Sequence, residues 1–214
     1  MQIARAGEVV GTAATEFEAH CPRLHEAPPL GTLVRVQPAD GLAVYAVVAG
    51  STTDGVDAGA RPVPRARDGC EDADIYREHP DLAYVLRTCF QCIVVGFQDD
   101  LGMHHFLPPC TAPIHYSVVC CTEDEVEAFT RRLDYFRIML DAQSVPTEEV
   151  LAAHVRLVAT TRHRARSASE GAYEFSVRAG REVANLLRGD HQRLVAILSR
   201  IRPTPSVAQP LRLV

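Results

Sequence analysis

The chain contains no lysine: all 22 of its basic residues are arginine. That absence excludes whole mechanisms. A phosphate-binding loop of the GxxxxGK[ST] type sets its lysine on the β- and γ-phosphates, and Schiff-base or pyridoxal chemistry starts from a lysine amine. Neither a standard P-loop ATPase nor a Schiff-base enzyme is compatible with this composition. The GxSxG elbow and the HExxH pair are missing as well, and there is no internal repeat or low-complexity segment. Apolar runs such as Ile93 to Phe97 fall far short of the ~18 residues of a membrane span. Arg5 and Glu8 stand where a signal peptide would be apolar, so a cytoplasmic protein is expected. An excess of positive charge is lacking too. The net charge is −5 and the isoelectric point is near 6.0, which argues against wholesale nucleic-acid binding. The 7 cysteines are an odd count, so no disulfide framework is expected.

What is present is an ordinary globular composition, 47% hydrophobic and 23% charged over 214 residues, enough for a core of its own in one or two domains. From Ile3 to Cys121 short apolar runs alternate with turn residues, the pattern of a small barrel or sandwich. Strands are expected near Ala4–Thr12, Gly31–Gln37, Leu42–Ser51, Cys89–Gln98 and His115–Cys121. Asp40-Gly41 signals one hairpin, and Asp99-Asp100-Leu101-Gly102 a second, with His104–Leu107 returning from it. Asp57 to Asp74 reads as an exposed polar excursion, followed by a short helix from Asp81 to Arg87 behind Pro80.

After Cys121 the period changes from two to 3.6. Thr122 and Glu125 form a capping box opening a helix whose apolar face carries Val126, Phe129, Leu133, Phe136 and Leu140. A second helix starts at Pro146-Thr147, a third runs from Ser169 to Arg188 with Gly189 as its C′ residue, and Asp190 caps a fourth with Leu194, Ile197, Leu198 and Ile201 inward. The expected class is α+β: a β-barrel over residues 1–121 with its excursion at 57–74, a helical bundle or layer over 122–203, and a tail at 204–214.

Candidate chemistry is sparse. Cys89-x-x-Cys92 resembles half of a zinc site, but a second pair is missing, and Cys120-Cys121 offers one ligand because strand neighbours face opposite ways. His104, His105, Cys110 and His115 fall close together around Pro108-Pro109, a donor set for a metal that lacks any fixed motif. Asp68, Glu71, Asp72 and Asp74 lack the ordered spacing of a calcium loop. Arg156, Arg162, His163, Arg164 and Arg166 form the one basic cluster, suited either to the C-terminal dipole of the second helix or to a phosphate backbone or acidic partner. No catalytic residue and no cofactor is assigned.

Ala6-Gly7-Glu8-Val9-Val10-Gly11-Thr12, Thr15-Glu16-Phe17, Pro29-Leu30-Gly31-Thr32-Leu33-Val34-Arg35-Val36 and Tyr45-Ala46-Val47-Val48 resemble the opening of a HAS barrel, the small barrel shared by HerA-type DNA translocases and rotary ATP synthase subunits. Ile93-Val94-Val95-Gly96-Phe97 and Leu107-Pro108-Pro109 to Ile114-His115 are similar to its closing part. The likeness covers residues 3–55 and, more loosely, 89–121. In the HerA family a P-loop motor follows the barrel; here helices replace it. The resemblance implies a non-catalytic assembly or adaptor subunit, a homo- or hetero-oligomer that partners a HerA-like hexameric ATPase, with or without a NurA-like nuclease, in DNA processing or defence. An exposed apolar patch on faces carrying Phe136, Met139, Leu186 or Leu187 is the expected docking surface. The alternatives are direct DNA binding through Arg156, Arg162, Arg164 and Arg166, and a small metal-dependent enzyme built on the Cys/His set.

Overall fold

Seven strands lie in one antiparallel sheet: β1 (Arg5–Thr12), β2 (Glu16–His20), β3 (Leu33–Ala39), β4 (Leu42–Gly55), β5 (Leu86–Asp99), β6 (Gly102–His104) and β7 (Ser117–Cys120). The computed structural model describes residues 5–57, 63–65, 69, 71–143, 145–164 and 170–201. The strand order is β2-β1-β7-β3-β4-β5-β6, and β2 pairs a second time, with β5. That pairing closes six strands into a barrel and leaves β6 as a flap on β5. Both expected hairpins form. Gly41 takes φ +74 between Ala39 and Leu42, a conformation glycine adopts without steric cost. At the second turn the Asp99 carboxylate accepts from the backbone N–H groups of Leu101 and Gly102.

Alternation along the strands sorts side chains between two cores. Val9, Phe17, Ala19, Val34, Val36, Val44, Ala46, Val48, Phe90, Cys92, Val94 and Val118 fill the barrel. Leu33, Tyr45, Val47, Ala49, Ile93 and Val95 point outward and join the helices in a second core. β4 and β5 are thus buried on both faces along part of their length, which is why they read as continuous apolar runs.

Helices α1 (Asp72–Glu78) and α2 (Leu82–Val85) precede β5; α3 (Glu123–Phe129), α4 (Phe136–Asp141), α5 (Thr147–Arg164), α6 (Ala172–Leu186) and α7 (His191–Ile201) follow β7. Several expectations are corrected. β2 was not among the expected strands, although Glu-Phe-Glu-Ala-His alternates with Phe17 and Ala19 inward. The excursion at 57–74 contains the start of α1, tied to the barrel by a 2.6 Å hydrogen bond between Tyr76 Oη and His25 Nε2. The helix expected over Asp81–Arg87 is a single turn, because β5 begins at Leu86, where it pairs with Gly55 of the long β4.

The first long helix is also two. Thr122 does form the capping box with Glu125, but α3 stops at Phe129. There Thr130 Oγ1 bonds back to the Val126 carbonyl, and the Arg178 guanidinium takes the carbonyls of Thr130 and Arg131 at 3.0 and 3.3 Å. Helix ends leave carbonyls without intrahelical partners, and Arg178 satisfies them from a distant helix. Gly189 is not the C′ residue: α6 ends at Leu186, Leu187 is its cap, and Gly189 is absent from the left-handed region. Asp190 Oδ1 accepts from Arg193 N at the start of α7, as expected. Within α7, Ile197 and Ile201 are buried while Leu198 is exposed. The tail at 204–214 lies outside the described residues. Among those described, no helix is long and apolar enough to cross a membrane.

Barrel and helices meet at Gly31. Its φ of +86 brings its backbone against α5, and a Cβ there would stand 2.4 Å from the His154 amide nitrogen. His154 Nδ1 donates to the Gly31 carbonyl at 2.8 Å, and Nε2 accepts from Tyr135 Oη at 2.8 Å.

Candidate interaction surface

The proposed metal donors are dispersed. His104 Nε2 bonds Asp99 Oδ1 at 2.8 Å while its ring stacks on Phe97. His105 is buried against Phe129 and Tyr135, and burial holds its pKa below the ordinary histidine value. His115 is exposed on Glu8, at 2.8 Å, and Cys110 is exposed. No group of three or more His, Cys, Asp or Glu able to hold a metal exists among the described residues. Asp68 lies outside them; Asp72 and Asp74 sit in the first turn of α1, where Asp74 pairs with Arg77.

Cys21, Cys89, Cys92, Cys120 and Cys121 behave as small apolar residues. Cys92 lines the barrel interior, and burial pushes its thiol far up. Three positions away on a strand, Cys89 faces the other way, so the Cys-x-x-Cys spacing does not converge. Cys120 packs on the barrel core and Cys121 on the helical core, diverging as neighbours in a strand must. Burial raises the Cys21 thiol to about 11 and also raises Cys89, Cys120 and Cys121. Protonated thiols are neither good nucleophiles nor metal ligands at neutral pH.

The arginine cluster is divided. The Arg162 side chain is 3% exposed; Nη2 donates to Thr130 Oγ1 at 2.8 Å and Nη1 lies 3.5 Å from Glu170. Glu170 also holds Arg178, and both guanidiniums lie over the Phe175 ring at 4.9 and 5.3 Å. Arg162 is therefore part of the helical core and presents nothing to a phosphate. Arg156 gives Nη1 to the Arg200 carbonyl at 2.6 Å. His163 and Arg164 are exposed, and Arg166 lies outside the described residues. The apolar side chains expected to dock partners are likewise inside: Phe136 and Met139 are fully buried, Leu187 is buried and Leu186 is partly buried.

Among the described residues, an open apolar groove lies elsewhere, on the barrel. Val10 of β1, Leu24 after β2, Val56 after β4, Ala83 and Tyr84 of α2 and Leu86 of β5 line an open depression of ≈ 660 Å³, with Arg23 and Arg87 also lining it. Tyr84 is 84% exposed. Val10 points outward because Val9 points into the barrel, and Val56 N–H donates to Val85 O at 2.9 Å, which fixes the short α2 segment against the β4 end. Groups of exposed apolar side chains on a folded surface mark contact sites. These residues come from four separate stretches of the chain, so no local pattern in the sequence marks them. No protein-family model and no curated protein matches this chain.

Proposed function

We propose that the chain is a non-catalytic assembly subunit whose barrel docks onto a HerA-like ring ATPase, with a NurA-like nuclease as a further member of the complex. The observation that carries the reading is the open groove around Tyr84, Val56 and Val10. Supporting it are a barrel interior filled by side chains, the thiols of Cys21, Cys89, Cys92, Cys120 and Cys121 pushed up by burial, and the His104, His105, Cys110 and His115 set separated by the fold. The HAS-barrel resemblance supplies the choice of partner.

The direct DNA-binding alternative loses Arg162 to the core and is not favoured. Co-expression of the tagged full chain with a HerA-like ATPase from the same genome, followed by size-exclusion chromatography with light scattering, tests the proposal. The expected result is a co-eluting complex that Tyr84→Asp abolishes and Arg164→Ala leaves intact. A chain that elutes alone and monomeric, or a Tyr84→Asp variant that still co-elutes, refutes it.

A further inference from the structure

β4 is twice as long as its partner β3. Pairing with β3 ends at Leu33↔Val47, with a last contact between Val48 and the Gly31–Thr32 backbone, whereas pairing with β5 continues to Gly55↔Leu86. Beyond Val48, β4 is therefore an edge strand whose ladder partner among the described residues is β5 alone; β5 itself pairs on with β2 as far as Cys89, and from Thr53 to Gly55 the two strands form an arm. The phase of that edge follows from three bonds. Val48 N–H and C=O serve the β3 side, and Val56 N–H serves Val85 of the β5 side. Across the bulge between Val48 and Gly50, alternation sends the backbone groups of Thr52 and Asp54 toward β5. Those of Ser51, Thr53 and Gly55 face away, and none has a ladder partner on that side among the described residues.

The arm is held in place by more than its ladder: Thr53 Oγ1 bonds Thr88 Oγ1 at 2.8 Å, and Thr88 Oγ1 accepts from His25 N at 2.9 Å. Natural edges are blunted by charged side chains, proline or a bulge; Ser51-Thr52-Thr53-Asp54-Gly55 has no proline or lysine and a single charge, Asp54. From β4 a shallow groove of ≈ 530 Å³ runs over β5 to β2, lined by Gly50, Ser51, Thr52, Cys89, Gln91, Glu16 and Glu18, with the two glutamates on β2 beyond β5. Glu16 and Glu18 face outward because Phe17 and Ala19 face in. The groove lining holds two carboxylates and no cationic side chain. Asp54 adds a third carboxylate on the arm, with Arg87 opposite it in the ladder.

We propose that the Ser51–Gly55 edge of β4 accepts an extended, arginine- or lysine-bearing segment of a partner protein as an added strand. The backbone supplies affinity through alternate hydrogen bonds, and the acidic face, with Asp54 on the edge strand and Glu16 and Glu18 beyond β5, favours positive charge. The proposal rests on the assembly reading above and names the chemistry of the docking segment.

The test uses the full chain and an acetylated octapeptide of alternating valine and arginine, with a valine–glutamate octapeptide as control. Binding of the cationic peptide, with hydrogen-exchange protection of the Ser51, Thr53 and Gly55 amides, is the expected result. Ser51→Pro deletes an outward N–H without touching the β5 ladder and should weaken binding about tenfold. Asp54→Asn combined with Glu16→Gln and Glu18→Gln should remove the preference over the acidic peptide. Because Ser51→Pro can perturb the bulge, N-methylation of alternate peptide residues provides the same test without changing the protein, and it should abolish binding. Equal binding by the methylated peptide, protection confined to other residues, or pairing of this edge with a second copy of the chain each overturns the proposal. If the ATPase co-elutes but the peptide leaves these amides unprotected, only the edge proposal fails; if the peptide pairs and no ATPase co-elutes, only the assembly reading fails.

Discussion

His154 is fully buried between a backbone carbonyl and a tyrosine hydroxyl, an arrangement that suits only the neutral imidazole. Burial lowers its pKa from 6.5 to about 4. The unfolded chain takes up the proton near pH 6.5 and the folded chain only near 4, so falling pH favours the unfolded state across that window. Above pH 6.5 the contribution is fully present; between 6.5 and 4 about 3 kcal/mol is lost. Urea unfolding at pH 7 and pH 4 should therefore show a drop about 3 kcal/mol larger for the wild type than for His154→Gln. Parallel pH profiles would contradict this account. Across the same contact, Gly31→Ala must place a Cβ 2.4 Å from a backbone nitrogen at φ +86. A loss of about 3 kcal/mol or more is expected in equilibrium denaturation.

At the scale of elements, the break between α3 and α4 and the anchoring of α5 to α6 share one polar cluster. Arg178 caps the carbonyls at Thr130 and Arg131, Glu170 bridges Arg178 and Arg162, and both guanidiniums lie over the Phe175 ring. Burial presses the Arg162 pKa downward, while Glu170 opposes the shift. Removing Arg162 leaves Thr130 and part of Glu170 without a donor, so Arg162→Met should cost about 2 kcal/mol. Arg164→Ala, one turn-end residue away and exposed, should stay within about 0.5 kcal/mol. Thermal melts of the two variants check the contrast, and equal melting temperatures would place Arg162 outside the core network.

For the whole molecule, the outward residues of β4 and β5 bind the two halves into one structure. Tyr45, Val47, Ala49, Ile93 and Val95 share a core with α3 to α7, so the barrel closes its hydrogen bonds alone but not its apolar surface. A chain cut after Cys121 should bind the dye ANS and aggregate, while the full chain does neither. A soluble, dye-silent fragment giving a dispersed NMR spectrum would show instead that the barrel stands alone. Charge is also uneven between the halves. Counting the sequence, residues 1–121 hold 8 arginines and 15 acidic residues, net −7, and residues 122–214 hold 14 and 12, net +2. An acidic barrel matches a cationic partner segment, the chemistry assigned to the β4 edge.

Local order was legible wherever near neighbours decide it. The Asp40-Gly41 and Asp99–Gly102 turns, the Thr122 capping box and the Asp190 cap depend on residues within a few positions, and alternation and the 3.6 period separate the barrel from the helices. The absence of lysine was decisive without any structure. Tertiary contacts decided the rest. Arg162 reads as part of a basic surface run until Thr130, Glu170 and Phe175, from distant positions, enclose it. Phe136, Met139 and Leu187 read as a docking face until α4 and α6 turn them onto the core they share. The helix expected at Asp81 shrinks to one turn because Gly55, thirty-one positions upstream of Leu86, draws that residue into the ladder. The groove at Tyr84 and the free edge of β4 exist only because closing the barrel aligns segments that no sequence spacing relates. Burial and pairing are properties of contacts made across the chain, and those contacts form only when it folds.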